Sequence, residues 1–213
     1  MTKIVGIAGT AKNTGKTSVV SNLLIKGKEN NIKIGLTSIG YDGESTDNIT
    51  GLPKPRLIVS NGTIVAIAEK CLTNTTAELK IIKKTNFVTP LGRVVIGIIK
   101  KEGLVVLAGP NKTRDLKAVI SQMKELGSEL IIVDGALNRL APMSVVENIV
   151  LATGAAKNRD LNQLAIETLC LFQIFELSDK CTMSDSKEGS YNGILLNTIN
   201  NKSIVLNTTS LVN

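Results

Sequence analysis

A lysine and a hydroxyl set side by side after a glycine can handle phosphate, and Gly15-Lys16-Thr17 is such a group. It lies in the stretch GIAGTAKNTGKTSVV, which passes from an apolar run through small polar residues into a second apolar segment. The chemistry this permits is anion binding. Successive backbone N–H groups of Thr10, Ala11, Lys12, Asn13, Thr14, Gly15, Lys16, Thr17 and Ser18 can wrap phosphate oxygens. A helix starting near Gly15 adds its positive end. Lys16 is the expected catalytic cation, reaching the β- and γ-phosphates of a nucleotide, and the Thr17 hydroxyl is the expected Mg²⁺ ligand. The pattern G-x-x-x-x-G-K-[ST] fails at one place. Its leading glycine falls on Thr10, with Gly9 one residue earlier. A plain turn joining a strand to a helix is the competing reading.

A phosphate site of this kind needs a carboxylate to orient Mg²⁺. Asp134 ends the apolar run ELIIVDGA and is the expected partner; an Asp that merely caps the turn with Gly135 is the alternative. Asp42 and Glu44, in TSIGYDGE, follow the second apolar run. Strand C-termini form the ligand-facing edge of an open α/β sheet. Asp42 is therefore expected to touch Mg²⁺ or to orient the attacking water, against a polar turn around Gly43. The N-K-x-D signature that reads guanine is absent, because Asn111-Lys112 and Asn201-Lys202 both lack the Asp. Adenine follows by elimination, so ATP and Mg²⁺ are the expected ligands. Asn197, ending GILLN, is a candidate adenine contact or an ordinary strand-end residue.

These residues need a scaffold that brings loop and carboxylate to one edge. Lys3–Ala8 reads as a strand, Ser18–Lys26 as a helix with Val19, Val20, Leu23 and Leu24 apolar, and Lys33–Ile39 as a second strand. Strand, glycine loop, helix and strand make a βαβ unit and favour a parallel sheet. The middle differs. Asn61-Gly62 between two β-type runs predicts a hairpin, and Lys101-Glu102-Gly103 is a turn-compatible gap between GRVVIGIIK and LVVLAGP. Residues from about 50 to 110 are thus expected to be an antiparallel, hairpin-rich insertion or sheet extension. Leu116, Val119, Ile120 and Met123 then predict a helix ending near Gly127. LIIVD and NIVLATG read as buried strands, and Asp160 with Gln163 as a capping box. That box opens a helix with Leu161, Leu164, Ala165 and Leu169 on one face. ILLN and SIVLN are short late strands. The expected class is an α/β P-loop NTPase fold in one domain over residues 1–213, with a largely parallel central sheet flanked by helices.

Composition narrows the function. The chain has 213 residues, 43% apolar and 2% aromatic, so its core must be aliphatic and it lacks π platforms for stacking bases. With no His, imidazole metal sites and Ser-His or Cys-His pairs are excluded. The net charge of +7 is spread over single and paired lysines, such as Lys83–Lys84 and Lys100–Lys101, which argues against nucleic acid as a partner. Cys71, Cys170 and Cys181 show no CxxC spacing and read as reduced thiols in a cytoplasmic protein. No signal-peptide pattern opens the chain and no apolar run reaches membrane-span length, so no membrane partner is expected.

The start Gly9-Thr10 with Gly15-Lys16-Thr17 resembles dethiobiotin synthetase and the deviant P-loop class that includes MinD and ParA ATPases. The signature lysine of that class falls on Ala11, which speaks against a lysine acting across a dimer, while a homodimer stays open as an assembly. Asn197 matches the position from which such proteins contact adenine. A longer set of motifs, TSIGYDGESTDNITGLPKPR, TPLGR, LAGP, IVDGALNRLAPM and LATGAAKNRDL, resembles the ATPase-like subunit of the reactivase of lysine 5,6-aminomutase. Related proteins accompany D-ornithine 4,5-aminomutase. The resemblance implies an ATP-driven, chaperone-like release of damaged cobalamin from an adenosylcobalamin-dependent aminomutase. It also implies a second reactivase subunit and a family chain that runs past Asn213.

The chain supplies phosphate- and Mg²⁺-binding residues but no clear acceptor chemistry. That suits hydrolysis coupled to a shape change, with residues 41–56 as a mobile segment stiffened at Pro53-Lys54-Pro55. An ordinary surface loop is the other reading of that segment. Two further functions compete: a carboxylate-activating ligase of the dethiobiotin synthetase kind, with Lys12, Arg56 or Arg139 as a second cation, and a nucleotide-binding module without turnover.

Overall fold

The computed structural model describes residues 2–40, 57–135, 144–175, 194–197 and 203–206. In chain order they form β1 (Lys3–Gly9), α1 (Lys16–Glu29), β2 (Ile34–Ser38), β3 (Leu57–Val59), β4 (Ile64–Ala68), a 3₁₀ turn (Glu69–Asn74), β5 (Glu78–Thr89), β6 (Gly92–Lys101) and β7 (Gly103–Val105). Then follow α2 (Thr113–Glu125), β8 (Leu130–Asp134), β9 (Asn148–Ala152), α3 (Leu161–Phe175), β10 (Ile194–Asn197) and β11 (Ser203–Leu206). The chain divides into two units, Met1–Leu171 and Phe172–Asn213.

The first unit is mixed α/β around a seven-stranded sheet of order β5-β6-β4-β2-β8-β1-β9. β4, β2, β8, β1 and β9 run parallel. In β4, β2, β8 and β1 the sequences are near-continuous aliphatic runs because both faces are covered; β9, expected to be buried, is an edge strand whose Asn148, Ile149 and Val150 are exposed. In β1, Ile7 packs on one side and Ile4 and Ala8 on the other; in β8, Ile132 faces one side and Ile131 and Val133 the other. Helix α1 covers the first side with Val20 and Leu24. Helix α2 covers the second with Leu116, Val119, Ile120 and Met123, the four positions that periodicity predicts. Burying each such side chain contributes roughly 1.5–3 kcal/mol. Gly127 ends this helix as expected, its N–H donating to Lys124 O at 2.8 Å.

Two of the antiparallel strands, β5 and β6, extend this sheet. β6 pairs antiparallel with β4, and β5 with β6. The predicted hairpin at Asn61-Gly62 does not form. β3 and β4 flank that turn, yet β3 pairs with β7 in a second, two-stranded sheet while β4 joins the central one. A two-residue hairpin with Asn-Gly needs positive φ at both residues. Here Gly62 has φ 87°, and Asn61 is not among the positive-φ residues. The turn closes by Thr63 N–H donating to Ser60 O at 3.3 Å, and Gly62 N–H donates to Ile99 O at 2.9 Å, which ties it to β6. The gap at Lys101-Glu102-Gly103 is no reversal either. Only Glu102 separates β6 from β7, and the chain leaves one sheet for the other there. The real hairpin joins β5 to β6 over Pro90-Leu91. Thr89 Oγ1 donates to Gly92 O at 2.9 Å and accepts from Leu91 N–H at 3.1 Å.

Asp160 caps α3, its Oδ1 accepting from Asn162 N–H at 2.9 Å and Gln163 N–H at 3.1 Å. The Gln163 side chain turns to Glu167, so the reciprocal half of the capping box is missing. Of the four residues expected to share one face, Leu164 is buried whereas Leu161, Ala165 and Leu169 are exposed. A helix that is apolar on most sides gives periodicity little to choose between. In the second unit, β10 and β11 pair antiparallel. Among the described residues no helix is long and apolar enough to cross a membrane.

Candidate functional site

The site is built at the C-terminal ends of β1, β8, β9 and β2. β1 is held between β8 and β9, with Ile7 opposite Asp134 and Gly9 opposite Ala152. Beyond Gly9 the loop continues this pairing, since Thr10 N–H donates to Ala152 O at 3.0 Å. The chain then turns through Asn13 at φ 59° and Gly15 at φ 98°, and α1 starts at Lys16. Gly15 thus adopts a left-handed conformation that other residues enter only at a cost.

Two contacts hold the loop in shape. Thr14 is buried, and its hydroxyl donates to Ala11 O at 2.9 Å. Thr10 Oγ1 donates to Thr153 Oγ1 at 2.9 Å. Under the loop, a Cβ on Gly9 would fall 2.8 Å from both Lys16 Cγ and Thr14 Oγ1. This accounts for the glycine one residue ahead of the expected pattern. Position 9 must be bare because the loop folds back over it, while position 10 carries a hydroxyl that reaches Thr153, just past the end of β9.

Lys16 leans across the loop toward β8. Its Nζ donates to Gly135 O at 3.1 Å and lies 4.0 Å from Asp134 Oδ1. The aspartate's backbone is fixed on both sides: Asp134 O accepts from Ile39 N–H at 2.7 Å, and Gly135 N–H donates to Ile7 O at 3.0 Å. Asp134 stands level with Ile7 of β1 and Ser38 of β2. The side chains of Lys16 and Asp134 are 22% and 28% exposed, so both are reachable from solvent yet partly shielded from it.

The start of α1 carries no compensating negative charge of its own. No side chain caps it, and its first turn contains no acidic residue. The first N–H groups of a helix need acceptors, and the positive helix end favours an anion. Bare backbone, Lys16 and the tight Gly9 cradle together fit a polyphosphate. A Mg²⁺ ion there would draw on Thr17 and Asp134 and on phosphate oxygens. Among the described residues no group of three His, Cys, Asp or Glu gathers around a metal.

The structure brings Thr10, Ala11, Lys12, Asn13, Thr14, Gly15, Lys16, Thr17, Ser18 and Asp134 to one edge. Lys12, Asn13, Gly15 and Ser18 are exposed. Asp42 and Glu44, the carboxylates expected near the metal, lie outside the described residues, as do Arg56, Arg139 and the segment 41–56. Asn197 ends β10 opposite Ser203 in the second unit. Asn111-Lys112 sits at the start of α2, where Lys112 O accepts from Leu116 N–H. Three residues were missed by sequence reasoning: Gly9, for its cradle, Gly135, for its carbonyl under Lys16, and Thr153, for its hydroxyl beside Thr10. The strand end LATG signalled Thr153 weakly, but nothing in the chain says that β9 lies beside β1.

Cys71 is buried in the aliphatic core, and burial pushes its thiol up to about 11. It is an inert packing group, far from a thiolate nucleophile. Cys170 is exposed on α3.

No protein-family model matches the chain, and neither a curated protein nor a solved structure matches it.

Proposed function

We infer that the chain is a P-loop ATPase that serves as the ATP-binding subunit of a reactivase for an adenosylcobalamin-dependent aminomutase. One observation carries the nucleotide part. Lys16 projects from the uncapped start of α1 to within 4.0 Å of Asp134 on the neighbouring strand. Phosphoryl chemistry needs little more from a protein than positioning and charge. In this reading the loop from Thr10 to Ser18 cradles the phosphates with its backbone, and Lys16 leaves Gly135 O to neutralise phosphate oxygens. Mg²⁺, when bound, neutralises charge on the phosphates; Thr17 and Asp134 hold it, and Asp42 is the proposed further ligand or orienter of the attacking water. Asn197 is the proposed adenine contact.

The reactivase part rests on the motifs from YDGESTDNITGLPKPR to LATGAAKNRDL. Lys12 is the one candidate second cation for a ligase at the described edge, and an ATPase whose output is a change of shape in a partner needs none. The partners are the aminomutase and a second reactivase subunit, in the cytoplasm, with neither nucleic acid nor membrane involved.

The test is an ATPase assay with and without an aminomutase carrying inactivated cobalamin. The reading expects partner-stimulated hydrolysis and recovery of aminomutase activity when fresh adenosylcobalamin is supplied. Turnover that appears only with a small carboxylic acid, and gives an acyl-phosphate product, would contradict it in favour of the ligase.

A further inference from the structure

β5 is the outermost strand of the seven-stranded sheet, and among the described residues its one ladder partner is β6. It has 12 residues, about twice the usual strand length. Free edges of this kind recruit other strands, and proteins blunt them with lysines, bulges or short length. β5 has lysines and bulges, but it also exposes aliphatic side chains. Ile81, Ile82 and Val88 are 39%, 43% and 67% exposed. The ladder shifts between Ile81 and Lys83, so Ile82 is the extra residue of a bulge. Protection alone calls for charge, not for isoleucines set between the charges.

Lys80, Lys83 and Lys84 flank these aliphatics, and β6 adds exposed Arg93, Lys100 and Lys101. Among the described residues only Lys84 of this group has an ion-pair partner, Glu69 at 3.3 Å. Among the described residues the surface is therefore cationic, aliphatic and open along a strand edge.

These properties select the occupant. A second copy adding antiparallel to β5 would set lysines against lysines, and like charges directly opposite destabilise a ladder. A nucleic acid would want stacking platforms, whereas the strand's one aromatic, Phe87, packs against the core. We propose that the β5 edge docks an extended acidic segment of a partner protein as an added strand. Main-chain hydrogen bonds would supply affinity, and carboxylates beside Lys80, Lys83 and Lys84 would set its identity. This inference does not rest on the nucleotide reading.

The probe is an acetylated, amidated peptide of alternating Glu and Val, about as long as β5, titrated into the full chain at low salt. Hydrogen exchange by mass spectrometry locates the contact. Saturable binding with slowed exchange across residues 78–89 is expected. Replacing Lys80→Gln, Lys83→Gln and Lys84→Gln together should weaken binding about tenfold with circular dichroism unchanged. Lys83→Glu alone should move it the same way if the triple variant does not fold. A peptide N-methylated at alternate residues cannot complete the ladder and should bind at least about tenfold more weakly. Equal binding of the methylated and plain peptides would overturn the proposal. So would protection elsewhere in the chain, tighter binding of a single-stranded oligonucleotide of matching charge, or no binding.

Discussion

Lys16 Nζ stands 4.0 Å from Asp134 Oδ1 and donates to Gly135 O at 3.1 Å, which ties the first turn of α1 to the end of β8. A partly exposed ion pair of this length contributes at most about 1 kcal/mol to stability. Its value lies elsewhere. It holds a cation over an uncapped helix start, with a carboxylate next to it, where an anion and a divalent cation would both find partners.

Removing the hydroxyl pair beside the loop should loosen it measurably. Thr10→Val and Thr153→Val should each cost about 0.5–1.5 kcal/mol in urea denaturation. Because the two hydroxyls meet at 2.9 Å, the double variant should cost less than the sum of the single ones. Strict additivity would mean that the contact carries no energy.

Gly9→Ala should damage the loop more than the fold. The added methyl would press on Lys16 Cγ and Thr14 Oγ1, each 2.8 Å away, so one or both must move. Overpacking of this kind costs about 1–3 kcal/mol. Far-ultraviolet circular dichroism should stay unchanged while nucleotide affinity drops.

Alkaline pH should destabilise the protein through Cys71. Its folded pKa, about 11, is above the ordinary thiol value, so the native state keeps a proton that the unfolded chain releases. The stabilisation is complete below the ordinary thiol pKa and is lost as pH rises toward 11. Denaturation midpoints between pH 8 and 11 should fall less steeply in Cys71→Ala than in the parent chain.

The aliphatic framework was legible because period and burial agree. LIIVD reads as a strand covered on both faces, and the spacing of Leu116, Val119, Ile120 and Met123 puts them on one side of a helix. The loop at Gly15-Lys16-Thr17 was legible for the same local reason. What was not legible depends on neighbours that the chain does not name. Asn61-Gly62 carries every local mark of a hairpin, yet its flanking strands go to different sheets because β6 claims the turn through Ile99. Thr153 matters only because β9 lies beside β1. In α3, Leu161, Ile166, Leu169 and Phe172 share one exposed aliphatic side while Leu164 is buried, and the sequence alone does not tell an exposed apolar side from a covered one.

The most direct test is calorimetric titration of ATP, with and without Mg²⁺, into the parent chain, Lys16→Ala and Asp134→Asn. The account predicts saturable binding that Mg²⁺ strengthens in the parent chain. Lys16→Ala should lose about 10- to 100-fold in affinity, the scale of a charge-assisted hydrogen bond. Asp134→Asn, which keeps shape but not charge, should bind ATP with little response to Mg²⁺. Unchanged affinity in Lys16→Ala, or no ATP binding by the parent chain, would contradict the account.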